Sequence, residues 1–372
     1  MIQFNRYRLP DDTPDLHADT VKLVGLMSQG LRTAPEAAVP LLFEMAYKYP
    51  GNLRVAAIAA RLHHWGVLGW DEIREMIPAE LPRHFWYAQE IAGCLGYEQT
   101  NRHWHIEEDD WYTLQGQADD VVAPGAGAMH GYISYQPPSA GFFSVVENIV
   151  AASMAAEQDG YGLKVDLSGN WWAYDEPFEQ IFEDVFEFCN GGLPILRFDS
   201  MRKRFFDADL AQAQELARRK CGWYNEIYYA IGSYAGTGSV EDDVGTMFLR
   251  GGDKLQTETV LPPAHIILKE LTWMKRHCRR RVILSDDPMI GQMITARDPD
   301  VLDRSNQLPG GYHHLPQRKQ SCIPILQNYL AMVEAKHNFS CPSANLANAA
   351  QWSRSDDDNY SLSNPVGRYL LI

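Results

Sequence analysis

Cysteine is scarce and carries no pairing pattern. The 372 residues hold six, at Cys94, Cys189, Cys221, Cys278, Cys322 and Cys341, and none forms a C-x-x-C pair. Such spacing reads as free thiols of a reducing compartment rather than a disulfide framework. Long apolar runs are missing too. No stretch reaches the roughly 18 residues that a transmembrane helix needs, and Met1 to Pro10 lacks the apolar centre of a signal peptide. The expectation is a cytoplasmic chain, or one trimmed of its anchor. Positive charge is in deficit: Lys and Arg total 33 against 48 Asp and Glu, for a net charge of -15 and a pI near 5.2. The summed field of such a chain repels phosphates, which excludes a general nucleic-acid or anionic-membrane binder. One small basic pocket for a nucleotide remains compatible with it. What is present is ordinary for a soluble globular protein, 45% apolar and 22% charged. The length implies two to three domains.

Residues 15–95 read as helices. Apolar residues recur at three and four spacings over Ala37–Ala46, Leu53–Leu62 and Asp71–Ile77, with Pro50-Gly51-Asn52 and Leu81-Pro82 as breaks. Helix, Pro-Gly-Asn turn, helix matches a TPR-like hairpin, but one unit and a fragment fit a simple helical cap better, since arrays need about three units. Residues 98–130 are polar and turn-rich, a linker. Tyr132–Tyr135 (strand), Gly141–Ala156 (helix opening at a glycine) and Leu163–Leu167 (strand) form a βαβ pattern, which implies a parallel sheet. Asp209–Lys220 reads as a helix, Val244–Leu249 as a buried strand, His265–His277 as a helix and Arg281–Leu284 as a strand. Ser321–Lys336 reads as a helix, and Asn338–Ala344 as a strand-to-helix junction. The expected division is a helical region and linker over 1–125, one α/β half over 126–240 and a second over 241–372.

The densest chemistry follows Val244–Leu249. In Arg250-Gly251-Gly252-Asp253-Lys254-Leu255-Gln256-Thr257-Glu258, four charged side chains surround two glycines. Glycines after a strand allow close approach of backbone to a ligand. Arg250 is able to grip a phosphate through its guanidinium fork, or to form a surface salt bridge with Asp253. Glu258 is a candidate general base, or a solvated glutamate at a helix start. Asp286-Asp287 invites a Mg²⁺ reading. Adjacent carboxylates followed by Pro288 are not the D-x-D of metal-dependent transferases, however, and a strand-end turn with an N-cap accounts for them. Ser343 offers a hydroxyl or amide to phosphate, or caps a helix. His103-Trp104-His105 lacks a third metal ligand at any fixed spacing. Arg279-Arg280-Arg281 and Arg202-Lys203-Arg204 read as solvated faces. Trp171-Trp172 and Trp223-Tyr224 suit sugar stacking, though buried aromatics are commoner.

In their order, these elements resemble the α1,6-type fucosyltransferases, the group of the core-chitobiose and Nod-factor enzymes, over roughly residues 132–350. The resemblance rests on Gly141-Phe142-Phe143-Ser144 with the following helix, and on Leu163-Lys164-Val165-Asp166 with Asn170-Trp171-Trp172. It rests also on Arg250-x-x-Asp253-Lys254-x-x-x-Glu258, Ser285-Asp286-Asp287-Pro288 and Phe339-x-x-x-Ser343-Ala344, and more weakly on Leu362-Ser363-Asn364-Pro365. It implies a GT-B-like α/β fold, two Rossmann-like halves facing a cleft. It also implies metal-free inverting transfer from GDP-fucose, a donor substrate and not a cofactor, to a glycan acceptor. Arg250, Asp253, Lys254 and Glu258 would be catalytic, and Gly141, Phe142, Gly251, Gly252, Asp286, Asp287, Ser343 and Ala344 would hold the donor. Three positions depart from the family pattern. Phe248 stands where a histidine is frequent, Gly251 replaces the second arginine of a pair, and Ile325-Leu326-Gln327-Asn328 lacks the aspartate that reads the base. The competing expectation is a scaffold whose amino-terminal helices bind a protein partner or a second copy, with a degenerate transferase domain, or a transferase using another nucleotide sugar.

Overall fold

The computed structural model describes residues 13–29, 32–79, 91, 94–95, 124, 130–170, 172, 178–196, 210–236, 243–251, 260–305, 322–340, 344–354 and 359–361. The chain is α/β, with two parallel sheets and an amino-terminal helical segment, the class its sequence implied.

The helical segment starts with α1 (Pro14–Met27), capped by the Thr13 hydroxyl, and a two-stranded hairpin of β1 (Ser28–Gln29) and β2 (Arg32–Thr33). A 3-10 turn at Pro35–Ala38 leads into α2 (Val39–Lys48) and α3 (Leu53–His64), and α4 (Trp70–Ile73) follows. The Pro-Gly-Asn turn behaves as its composition dictates. Gly51 takes φ +73°, the left-handed region open to glycine, and Asn52 accepts from the amides of Arg54 and Val55 to cap α3. Asp19 ties α1 to α2, accepting from Lys48 and from the Tyr49 hydroxyl at 2.9 and 2.8 Å. The helices close their own core around Leu16, Leu42, Ile58 and Ile73, and two residues from far along the chain, Val260 and Ile266, complete it.

The first sheet has the order β3 (Tyr132–Tyr135), β4 (Gly162–Val165), β5 (Glu187–Phe188), all parallel. The helix α5 (Phe142–Gln158) crosses between β3 and β4 and buries Val145, Val146, Ile149 and Val150. The short α6 (Phe178–Phe182) adds an aromatic cluster, and the long α7 (Leu210–Ala235) follows. Where sequence periodicity predicts a helix ending at Lys220, α7 runs to Ala235. Trp223, Tyr224, Ile227 and Ile231 are buried, so tertiary packing extends it past its clear amphipathic pattern.

The second sheet is built from β6 (Val244–Leu249), α8 (Ala264–His277), β7 (Arg280–Ser285), α9 (Pro288–Thr295), β8 (Val301–Asp303), α10 (Ile323–Glu334), β9 (His337–Ser340), α11 (Asn345–Ser353) and β10 (Asn359–Ser361). Its order is β10-β9-β6-β7-β8, all parallel. Side chains alternate across it. Val244, Phe248, Val282 and Leu284 face α10 and α11, while Met247, Leu249, Ile283 and Phe339 face α8 and α9. Gly245 lets α8 lie close, since a Cβ there would stand 2.7 Å from Cys278 Sγ. The core on the α10–α11 side runs without a break into that of the first sheet: α11 packs on α5 and α7, and Phe143 stacks on Tyr329 at 4.9 Å. Buried Arg354 closes α10, its Nη1 donating to the carbonyls of Met332, Val333 and Ala335.

One sequence reading needs correction. Arg281 is not on a solvated face; it is buried at the amino end of β7 and paired with Asp298. The stretch Asp298-Pro299-Asp300 has the D-x-D form, but it lies at the amino ends of β7 and β8 and its Asp298 is held by Arg281. The aromatic pairs resolve as core, with Trp172, Trp223 and Tyr224 buried; Trp171, Arg202-Lys203-Arg204 and His103-Trp104-His105 lie outside the described residues.

His64, at the end of α3, has its pKa lowered to about 3 by burial, helped by the charges of Arg61 and Lys269. Unfolded, it titrates near about 6.5. The folded state therefore resists protonation, and its stability is complete above pH ~6.5 and declines as pH falls through the window below. At about 1.4 kcal/mol per pH unit, roughly 2 kcal/mol of stability is lost by pH 5 from this group. Urea unfolding at pH 7 and 5 checks this: His64→Gln should flatten the dependence, and an unchanged slope would remove His64 as its source.

Candidate functional site

Strand order decides where a ligand goes in a doubly wound sheet. From β6 the chain steps one way to β7 and β8, then returns to the other side for β9 and β10. The reversal falls between β6 and β9, and ligands bind outside the carboxyl ends at such a point. Register brings the strand ends there together. Leu249 pairs with Ser285 and Phe248 with Ser340, so Arg250 and Asp286 emerge side by side, next to the carboxyl end of β9.

Asp286 links the first two motifs. Its Oδ2 takes Arg250 Nη1 in an ion pair, and its Oδ1 accepts the Gly251 amide at 2.6 Å. Both side chains are about four-fifths buried, 21% and 18% exposed, where such a pair is screened less than on the surface. Arg250 is thus bound by Asp286, a partner the sequence did not single out. Asp287 is the N-cap of α9, its Oδ1 accepting the Met289 amide at 2.9 Å with Pro288 in the first turn. The buried Ser285 hydroxyl accepts the Asp287 amide at 3.1 Å and fixes the turn; no sequence signal marked its role. Gly251 is fixed by packing. A Cβ there would meet Asp287 Cβ and Ile290 Cδ1, each at 2.6 Å, so only glycine lets α9 start this close. Phe248 is buried against the α10–α11 layer.

Ala344 is buried at the start of α11, in extended conformation ahead of open helix amides. Gly141 holds the same place before α5. Phe142 needs a correction as a donor contact: its ring lies in the core against Trp172 and Phe178, at 5.2 and 5.1 Å, so only its backbone reaches the edge. The carboxyl edge of the first sheet is tied by Asp166, which accepts Gln136 Nε2 at 2.8 Å and the Ser168 amide at 2.9 Å. Ser168 and Gln136 hold its carboxyl below the ordinary value. Asn170 donates to the carbonyls of Pro137 and Pro138, and Trp172 Nε1 to that of Ala140, which fastens the turn before α5. Gly252, Asp253, Lys254, Glu258 and Ser343 lie outside the described residues. Among the described residues no group of three or more His, Cys, Asp and Glu side chains stands together as a metal site, and no helix is long and apolar enough to cross a membrane.

No family model and no curated protein matches the chain. Among solved structures it is similar to POFUT1 in complex with GDP, with 9% identity and a TM-score of 0.37 over 62% of this chain and 98% of that one. A second structure of POFUT1 with GDP gives 9% and 0.34 over 64% and 99%. A mutant of Arabidopsis thaliana FUT1 with GDP gives 9% and 0.33 over 71% and 77%. Likeness this distant assigns no family.

The Arg250–Asp286 pair is measurable by a double-mutant cycle. With Arg250→Met and Asp286→Asn, urea unfolding should show a coupling of about 1–2 kcal/mol, because the pair is largely shielded from solvent. Additive losses within about 0.3 kcal/mol would mean that the two side chains do not support each other.

Proposed function

We propose that this chain is an inverting glycosyltransferase, moving fucose from GDP-fucose to a hydroxyl of a glycan or other acceptor without a metal ion. The observation that carries the reading is the meeting of the Arg250 motif with Asp286-Asp287 at the strand-order reversal of a doubly wound sheet. In this reading the fold works as a GT-B-like pair, with 241–372 as the donor half and 126–240 as the acceptor half. The resemblance of the motifs supplies the sugar and the base. Arg250 engages Asp286 through Nη1, and a guanidinium has five N–H donors, which leaves capacity for the β-phosphate.

The step is a displacement at the anomeric carbon. The acceptor oxygen forms a bond to that carbon while the bond to the β-phosphate oxygen breaks, and GDP departs with the electron pair. Glu258 takes the acceptor proton. Arg250 stabilises the charge that grows on the diphosphate, and because Asp286 already fixes it, little reorganisation is needed. Lys254 adds positive charge and Asp253 orders the loop. The amide of Gly252, and those at the helix starts after Gly141 and around Ser343-Ala344, suit phosphate or hydroxyl oxygens. Asp286 and Asp287 are occupied as a clamp and a helix cap, which favours a metal-free mechanism.

The second reading is a partner-binding scaffold. The outer face of α2 favours it, with Phe43 and Tyr47 exposed at 40% and 92%. GDP release from GDP-fucose with acceptor, compared across a panel of nucleotide sugars, separates the two.

Arg250→Ala should lower kcat by about 10²- to 10³-fold, or on the order of 3 kcal/mol, and donor affinity much less. Arg250→Lys should recover only part, since a point charge lacks the guanidinium fork. Near-wild-type turnover of Arg250→Ala would exclude the leaving-group role. Turnover should also persist in EDTA; loss restored by Mn²⁺ or Mg²⁺ would show that the transfer needs a metal.

A further inference from the structure

The role of the amino-terminal helices is not explained by the transfer chemistry, yet they touch the chain next to it. The described residues on either side of 252–259, Arg250-Gly251 and Val260-Leu261, are each held. At the first end, Asp286 clamps Arg250 and the Gly251 amide. At the other, two successive residues plug into different cores: Val260, with no exposed surface, into the amino-terminal helical core, and Leu261 into the core between α8 and the second sheet. The Leu261 carbonyl accepts the Thr33 hydroxyl at 2.7 Å, a contact spanning more than half the chain. Pro262 and Pro263 follow and lead straight into α8, whose Ile266 also enters the helical core. A prolyl pair restricts the backbone, so a hold on Leu261 is passed on with little slack. Thr33 sits in β2, and the β1–β2 hairpin is fixed in turn by Ala34, whose amide donates to Met27 at 2.7 Å.

We propose that the amino-terminal helical region anchors the far end of the segment carrying Asp253, Lys254 and Glu258, with Thr33 as a positioning residue for the transfer. It is therefore a structural part of the catalytic unit, not a separable module. The positioning role rests on the functional reading above; the anchoring does not. Loosening this end leaves the Arg250 end clamped by Asp286, so turnover suffers and GDP binding does not.

The test compares Thr33→Val, which keeps the shape and removes the donor, with Thr33→Ser, which restores it, and with Val260→Ala, which removes the plug. Amide hydrogen exchange is followed in peptides covering 252–264, with peptides from 280–303 as the internal control. Thr33→Val and Val260→Ala should exchange about five- to ten-fold faster in the first set only, and Thr33→Ser should stay near wild type. With GDP-fucose and an acceptor, the two loosened variants should lose about five- to twenty-fold in kcat and keep GDP affinity within about two-fold. Unchanged exchange in both loosened variants overturns the anchoring. Faster exchange with unchanged kcat overturns the positioning role. A wild-type protein that transfers nothing from any nucleotide sugar overturns the functional reading instead, and the exchange result still decides the anchoring.

Discussion

The two oxygens of the Asp286 carboxylate hold the end of one strand to the end of its neighbour. One takes the Arg250 guanidinium and the other the Gly251 amide, and both contacts require that Leu249 and Ser285 lie in register. That register follows from burial. All six residues of β6 are buried, and slipping the strand by one position would exchange its two faces, moving Met247 and Leu249 into the layer that now receives Val244 and Phe248. The charged cluster at the carboxyl edge is therefore placed by apolar packing several residues away.

The same strand organises the rest of the molecule. One face of its sheet carries α8 and α9, and the helical amino-terminal core lies against α8 through Ile266. The other face carries α10 and α11, which continue into the helices over the first sheet. Polar groups within that shared layer are tied across it. Asn348 donates to Glu147 at 2.7 Å, and the Lys220 ammonium lies 3.8 Å from the same carboxylate and 4.9 Å above the Trp352 ring. These contacts join α5, α7 and α11, of which α5 and α11 begin at the carboxyl edges of their sheets. The two edges are thus linked through packed side chains and not only through the chain itself.

Much of this was legible in the sequence where local chemistry and burial agree. Tyr132–Tyr135, Val244–Leu249 and Arg281–Leu284 were readable as strands because apolar and β-branched residues run together there. The Pro-Gly-Asn break before α3 and the glycine opening α5 were readable because turn positions admit few residue types. The failures have a common cause. The strands β1, β2, β8 and β10 are two or three residues long, too short for periodicity, and exist only because a neighbour pairs with them. The second half of α7 buries Tyr224, Ile227 and Ile231 at helical spacing, but the exposed Tyr229 and the partly buried Tyr228 and Tyr234 blur that stripe in the sequence. Arg281 reads as one of three basic residues, and only the fold brings Asp298 to it.

By itself, the sequence determined the α/β class, the parallel sheet of the first half, the helical amino-terminal segment and the charged residue types that follow β6 and β7. These depend on spacing along the chain, which a sequence states directly. Only the tertiary structure decided which of those residues meet. Arg250 and Asp286 are 36 positions apart, and Thr33 and Leu261 are separated by 228. Each pair exists because strand order and register, set by burying apolar faces against one another, bring distant backbone to the same edge. Phe142 shows the reverse: a residue that matched a binding motif turns its ring into the core, because a helix start has one face for the ligand edge and one for the interior.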